Sequence, residues 1–235
     1  PEDFTVFDLE TTGFSPFQEA IIEIGAVRIK EGVKVGEFSA FVNPNRLIPD
    51  RITELTSITD AMVRTADPIE KVLPAFLEFS EGSTYVGHNV DFDIGFIREN
   101  AFRLGLRFQP LSLDTLGMAR ALHPDLKNHK LDTVCKELNV PSFHHHRAID
   151  DAQATADAFL AMWEEVKSRG ISLAEINTIP SDFPLSKHEE KEVLVYVQKQ
   201  EALVHFYHMV SQANLDYFWR SPGIPASLLE RNHPG

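Results

Sequence analysis

The chain has 235 residues, 43% hydrophobic and 24% charged, as in an ordinary globular protein with one sizeable core or one domain plus an appendage. Its 35 acidic against 22 basic side chains give a net charge of −13, which excludes a general nucleic-acid-coating protein. An enzyme that grips a strand end through metal ions and a few local cations stays open.

The single cysteine, Cys135, shares a helical face with Leu131, Val134 and Leu138, so it reads as a buried core thiol in a reducing, cytoplasmic setting. No run approaches the ~18 apolar residues of a membrane span. The opening Pro1, with no signal-peptide pattern after it, reads as the start of an excised or processed fragment.

In chain order, "FTVFDLE" (4–10) predicts a first strand, closed by the turn signal "TTGFSP". Segments 20–32 and 35–44 predict two more strands joined as a hairpin at Gly32. Short helical pieces follow near 51–56 and 60–64, then a better helix opened by Pro68. "STYVGHN" reads as a strand ending at Gly87, and "DFDIGFIRENAFRLG" as an amphipathic helix ending at Gly105. In that helix Phe92, Phe96 and Ile97 form the buried face, which leaves Asp93 at its exposed N-terminal edge. A short strand "LSLD" leads into a helix to Leu122, and "KLDTVCKEL" gives another.

The long helix 148–170 carries an apolar stripe of Ile149, Ala152, Ala156, Phe159, Trp163 and Val166. Beyond it the composition shifts to Pro, Ser and charge, then to a strand-like "VLVYVQ" and a helical "EALVHFYHMVSQANLDYFW". A three-strand meander followed by strand–helix alternation predicts an α/β fold, a mixed central sheet flanked by helices, with a small C-terminal α/β appendage. The boundaries are 1–170, a linker over 171–192, and 193–235.

Chemistry concentrates in three places. Asp8 and Glu10, two apart on a strand, point to one face with their carboxylates roughly 6–7 Å apart. That suits one ion or a bridged pair. Asp93 opens a helix, and "HHHRAIDDA" (144–152) supplies histidines and acids at the start of another. Gathered together, four carboxylates repel, and hard divalent cations such as Mg²⁺ or Mn²⁺ reverse that cost. A neighbouring histidine can take a proton from water near neutral pH. Read alone, each acid also fits a solvated strand end or helix start.

Together, "FDLETTG", "VGHNVDFDIGF" and "HHRAIDDAQATA" resemble the three signature segments of the DEDDh, or DnaQ-like, 3′–5′ exonuclease family. The resemblance implies an RNase H-like fold, two Mg²⁺ or Mn²⁺ ions on Asp8, Glu10, Asp93 and Asp151, and His146 as general base. The His-x-x-x-x-Asp spacing selects Asp151 over Asp150 and leaves His144 and His145 outside the motif. It implies substrate contacts at Thr11, Thr12 and Gly13, and at Thr56 and Asn89.

Three uses stay open at this point. Gly13 serves the nucleotide or a turn with positive φ, Phe14 stacks on a base or packs the turn, and Arg147 orients its loop or touches a phosphate. Arg98, Arg103, Arg107, Lys127 and Lys130 are phosphate-contact candidates or solvated charges.

"VGEFSAFVNP", "ITELTSITDAMV" and "LDTLGMARALHPDLKNHKLDTVCKEL" are similar to the exonuclease domain of PolC-type bacterial replicative polymerases. The tail from Val204 resembles the start of the resumed PHP (polymerase and histidinol phosphatase) domain in those enzymes. Ser57 departs from the glycine usual in that family's "LTGIT" segment. The implied function is proofreading of a single-stranded or frayed DNA 3′ end, releasing nucleoside 5′-monophosphates. The implied partners are the rest of the PHP domain and the polymerase domain, with no membrane. An RNA or small-oligonucleotide exonuclease would share all five site residues, and a non-catalytic replication scaffold is the third reading.

Overall fold

The first strand alternates apolar residues on both faces, so it must lie inside a sheet covered on both sides. In the computed structural model it is the central strand. The structure describes residues 2–141 and 147–170, together with 203, 206–207, 210–211, 218–219 and 221–222. Strands β1 (Asp3–Thr11), β2 (Ile21–Lys30) and β3 (Val33–Phe41) form the antiparallel meander, while β4 (Thr84–Gly87) and β5 (Ser112–Asp114) add in parallel. The order is β3-β2-β1-β4-β5, the mixed sheet that the alternation predicts.

Between them run α1 (Asp50–Thr56), α2 (Asp60–Val63), α3 (Ile69–Phe79), α4 (Val90–Arg103), α5 (Thr115–Leu122), α6 (Leu131–Glu137) and α7 (Ala148–Ser168). The hairpin between β2 and β3 turns on Glu31 (φ 49°) and Gly32 (φ 78°), the two left-handed residues of a type I′ turn.

Two layers cover the sheet. Phe7, Leu9 and Tyr85 pack with Phe76 of α3 and Ile94 and Phe96 of α4 on one face. Phe4 stacks edge-on to Phe159 and Trp163 of α7 on the other. Helix α7 buries Ala152, Ala156, Phe159, Trp163 and Val166 of the predicted stripe, but at its start Ala148 is buried in place of Ile149, which is half-buried; Ala154, Thr155, Ala158 and Met162 are buried as well. Cys135 is buried as expected, its thiol donating weakly to the Ala154 carbonyl. Among the described residues no helix is long and apolar enough to cross a membrane.

Helix α1 ends at Ser57, which sits at φ 60°, ψ 7° and donates its N–H to the Thr53 carbonyl. A left-handed conformation costs a serine roughly 1–2 kcal/mol, and the greater freedom of an unfolded glycine offsets only part of that gain. Ser57→Gly is therefore expected to raise stability by about 0.5–1 kcal/mol in urea unfolding; an unchanged or lower midpoint would show that the turn carries no such strain.

The chain divides into two compact units, Pro1–Arg169 and Gly170–Gly235. In the second, β6 (Phe218–Trp219) pairs antiparallel with β7 (Ser221–Pro222). This corrects the helical reading to Trp219: proline at 222 biases Ser221 toward extended backbone, and antiparallel pairing wins over helix at Phe218 and Trp219. Residues 203, 206–207 and 210–211 are helical as expected. The linker over 171–192 and the strand reading of 193–198 lie outside the described residues.

Candidate active site

The α7-facing row of β1 runs Phe4, Val6, Asp8, Glu10, so the row that is apolar under the body of α7 turns acidic at the strand's C-terminal end. There the first turn of α7 brings Asp151, whose N–H donates to the Arg147 carbonyl. Carboxylate oxygens of Asp8, Glu10 and Asp151 all lie within 4.8 Å of one another. Asp150, one residue earlier, is not in this group, as the spacing argument requires.

Asp93 departs from expectation: it is 4% exposed, not at an open helix edge. Strand β4 pairs with β1 only as far as Val6↔Val86. Asp93 then takes a strand's place, accepting the Leu9 N–H at 3.2 Å. A sequence window cannot show that a parallel pairing stops early.

Electrostatics fit a cation. Burial, then Asp93, Asp151, Glu10 and Glu23, push the Asp8 carboxyl well above its ordinary range. Burial, then Asp151 and Glu23, raise Glu10 from 4.5 to about 8, with Arg147 opposing. Burial chiefly raises Asp93, against the Leu9 N–H. Close-set carboxylate oxygens are hard donors suited to Mg²⁺ or Mn²⁺, which would relieve this crowding.

A carboxyl raised in the folded state stabilises below its unfolded value and loses that contribution as pH rises through its folded value. Metal-free protein should therefore lose roughly 2–4 kcal/mol between pH 4.5 and 8 from Glu10 alone. Saturating Mg²⁺ should reverse the loss, by about 2.7 kcal/mol at a hundredfold excess over Kd. Melting at pH 6 and 8, with and without Mg²⁺, checks both signs; a metal-free protein more stable at pH 8 would refute them.

The residues expected at the substrate divide in two. Thr11 donates its hydroxyl to the Gly13 carbonyl, and Thr12 donates to Glu19 while accepting the Ala20 N–H, so both side chains shape the turn after β1. Gly13 is not at positive φ; its small size instead spares the Glu19 side chain, 2.9 Å from where a Cβ would sit. Phe14 is exposed. Asn89 is exposed in a left-handed conformation (φ 68°) before α4, its N–H held by Asp114 and its side chain making no cap. Thr56 is buried, its hydroxyl committed to the Ile52 carbonyl and the Ile58 N–H.

Arg103 is bound to Glu99 and the Phe17 carbonyl. Arg107 lines a cleft with Ser83 and Tyr85, at the start of β4 and away from the acids. His144, His145 and His146 lie outside the described residues.

Arg147 is settled by its contacts: it forks onto Glu23 at 2.8–3.2 Å and lies 5.1 Å from the Phe41 ring centre. Sequence reading missed Glu23 and Gly25. A Cβ on Gly25, opposite Asp8 in the ladder, would fall 2.2 Å from backbone atoms of Ala148 and Ile149. The signal was present: "IIEIGAV" interrupts an apolar strand with a lone acid and a glycine two apart, hence on one face.

A mixed sheet whose central strand ends in paired carboxylates, faced by a third from a helix start, makes an acidic site whose close-set oxygens could hold a divalent ion. The chain belongs to the Exonuclease (RNase T) family, whose model matches residues 5–159. It is similar to the DNA polymerase III PolC-type of Caldanaerobacter subterraneus subsp. tengcongensis, 45% identical over 236 residues, covering 99% of this chain and 17% of that one. The corresponding protein of Clostridium perfringens is 40% identical over 238 residues, 100% of this chain and 16% of the other. The chain thus spans about a sixth of the length of the curated relatives it matches.

Among solved structures it resembles Exonuclease X in complex with 5′ overhanging duplex DNA, with TM-score 0.57 and 29% identity over 74% of this chain and 96% of that one. E. coli Exonuclease I in complex with a dT13 oligonucleotide shares the fold, with TM-score 0.61 and 20% identity over 72% and 42%.

Proposed function

We propose that residues 1–170 are the proofreading 3′–5′ exonuclease of a PolC-type bacterial replicative DNA polymerase, working in the cytoplasm on single-stranded or frayed DNA 3′ ends. The observation that carries this is the meeting of Asp8, Glu10 and Asp151 within 4.8 Å at the end of the central strand of an exonuclease-family chain. The 171–192 stretch is then a linker, and 193–235 a piece of the PHP domain that belongs with the polymerase.

Asp8 and Asp151, with Asp93, would hold one Mg²⁺ or Mn²⁺, and Asp8 with Glu10 a second. When bound, such ions acidify a water and neutralise charge gathering on the scissile phosphate and the leaving 3′-oxygen. His146 accepts the attacking water's proton at an imidazole nitrogen. The turn of Thr11, Thr12 and Gly13, stiffened by its own hydrogen bonds, offers its backbone to the terminal nucleotide. Asn89, held out by Asp114, offers a side chain.

The test is incubation of 5′-labelled single-stranded DNA, and RNA of the same sequence, with Mg²⁺ or Mn²⁺. A ladder shortening from the DNA 3′ end, abolished by EDTA and by Asp8→Asn, is the expected result. Faster shortening of RNA would move the function to RNA trimming, and an uncut strand with both ions present would leave a replication scaffold.

A further inference from the structure

One ion pair beside the acids, buried on its Glu23 side and half-buried at Arg147, has no part in holding metal in the reading above. Glu10, Glu23 and Phe41 stand opposite one another on β1, β2 and β3, so they form a row on the face that α7 covers. Glu23 is 1% exposed, and its carboxylate is fully engaged. One oxygen accepts from Arg147 Nη2 at 2.8 Å, the other accepts the Ala148 N–H at 3.0 Å, and both receive Nε of Arg147. The guanidinium in turn rests against Phe41. The chain is thus fastened at the start of helix α7, by a fork and a backbone bond that need one shared orientation.

Asp151 hangs on that point: it follows one helical turn later, bonded back to the Arg147 carbonyl.

We propose that Glu23 and Arg147 are positioning residues of the nuclease: their pair sets the placement of the first turn of α7, and so of Asp151, relative to Asp8 and Glu10. Glu23 acts as a fixed anchor and not as a further ligand, because its oxygens are already spent on Arg147 and Ala148. The inference rests on the exonuclease reading for its consequence but on the clamp geometry for its cause, and the two are separable.

The experiment compares the full chain with Glu23→Gln, which keeps shape and an acceptor for Ala148, with Arg147→Lys, which keeps charge without the fork, and with the double variant. DNA hydrolysis with Mn²⁺ is measured well below every melting temperature, alongside amide exchange over 147–151. Each single variant should lose about 10- to 100-fold in kcat with KM within about threefold, because misplacement by about an ångström is enough. The double variant should be no worse than the worse single, since both remove one interaction. Exchange over 147–151 should quicken.

A Glu23→Gln variant that melts lower yet keeps kcat within about twofold would reduce the pair to a structural brace and overturn the proposal, as would unchanged exchange. If the unaltered chain cuts nothing, the exonuclease reading fails; exchange over 147–151 then still decides the clamp.

Discussion

Asp8→Asn is expected to lower 3′–5′ hydrolysis on the order of 10³-fold or more while making the metal-free protein melt higher at pH 8. The two effects share one cause. Asp8 stands at the centre of the acidic group: Asp93, Asp151, Glu10 and Glu23 all raise its carboxyl, after burial itself. In the metal-free fold that charge is a burden, and an amide of the same shape removes it without opening a cavity. In the working enzyme the same charge holds the divalent ions, whose stabilisation of transition-state charge is worth several kcal/mol, at 1.36 kcal/mol per decade of rate. Opposite signs in stability and activity separate a functional acid from a structural one. Paired measurements of melting and single-turnover rate check it. A variant that keeps a tenth of the activity, or melts lower without metal, would remove Asp8 from the centre.

Gly25→Ala is expected to cost about 1–3 kcal/mol of stability and about 10²-fold in activity, although the residue bears no chemistry. The added methyl would meet the Ala148 carbonyl carbon and the Ile149 nitrogen at 2.2 Å and the Ala148 oxygen at 2.4 Å. These are backbone atoms of a helix start whose Ala148 and Ala152 are themselves buried, so no side chain can swing aside. Relief requires the first turn of α7 to lift by about an ångström from β2, which carries Asp151 away from Asp8. Gly36→Ala on β3 is the control: its methyl would find only Phe79, at an ordinary 3.5 Å. It should leave both stability and rate nearly unchanged. Equal behaviour of the two variants would show that close approach at Gly25 does not set the site.

The two expectations mark where sequence and structure part. Asp8 and Glu10 were legible because a strand has period two: residues two apart share a face whatever the strand packs against. Asp151 was legible through the family resemblance, whose His-x-x-x-x-Asp pattern runs from His146 to it. The order of the meander, the Glu31–Gly32 turn and the stripe of α7 followed from local rules of the same kind. Asp93 was placed on the wrong side of the water line because helical periodicity knows only its own helix, and here the neighbouring strand ended early. Of the two uses left open for Gly13, the turn at positive φ is not the one the fold makes; the local constraint is room for Glu19.

What the sequence by itself determined is the inventory and its local geometry over residues 1–170: which strands and helices form, most of their apolar faces, and which acids cluster along the chain, since these depend on neighbours within a few residues. Only the tertiary structure decided how the first turn of α7 meets the end of β1. It drew Glu23 and Gly25 into that contact, engaged Arg147, and buried Asp93, because each of these depends on atoms more than eighty residues apart in the chain that the fold brings to contact distance.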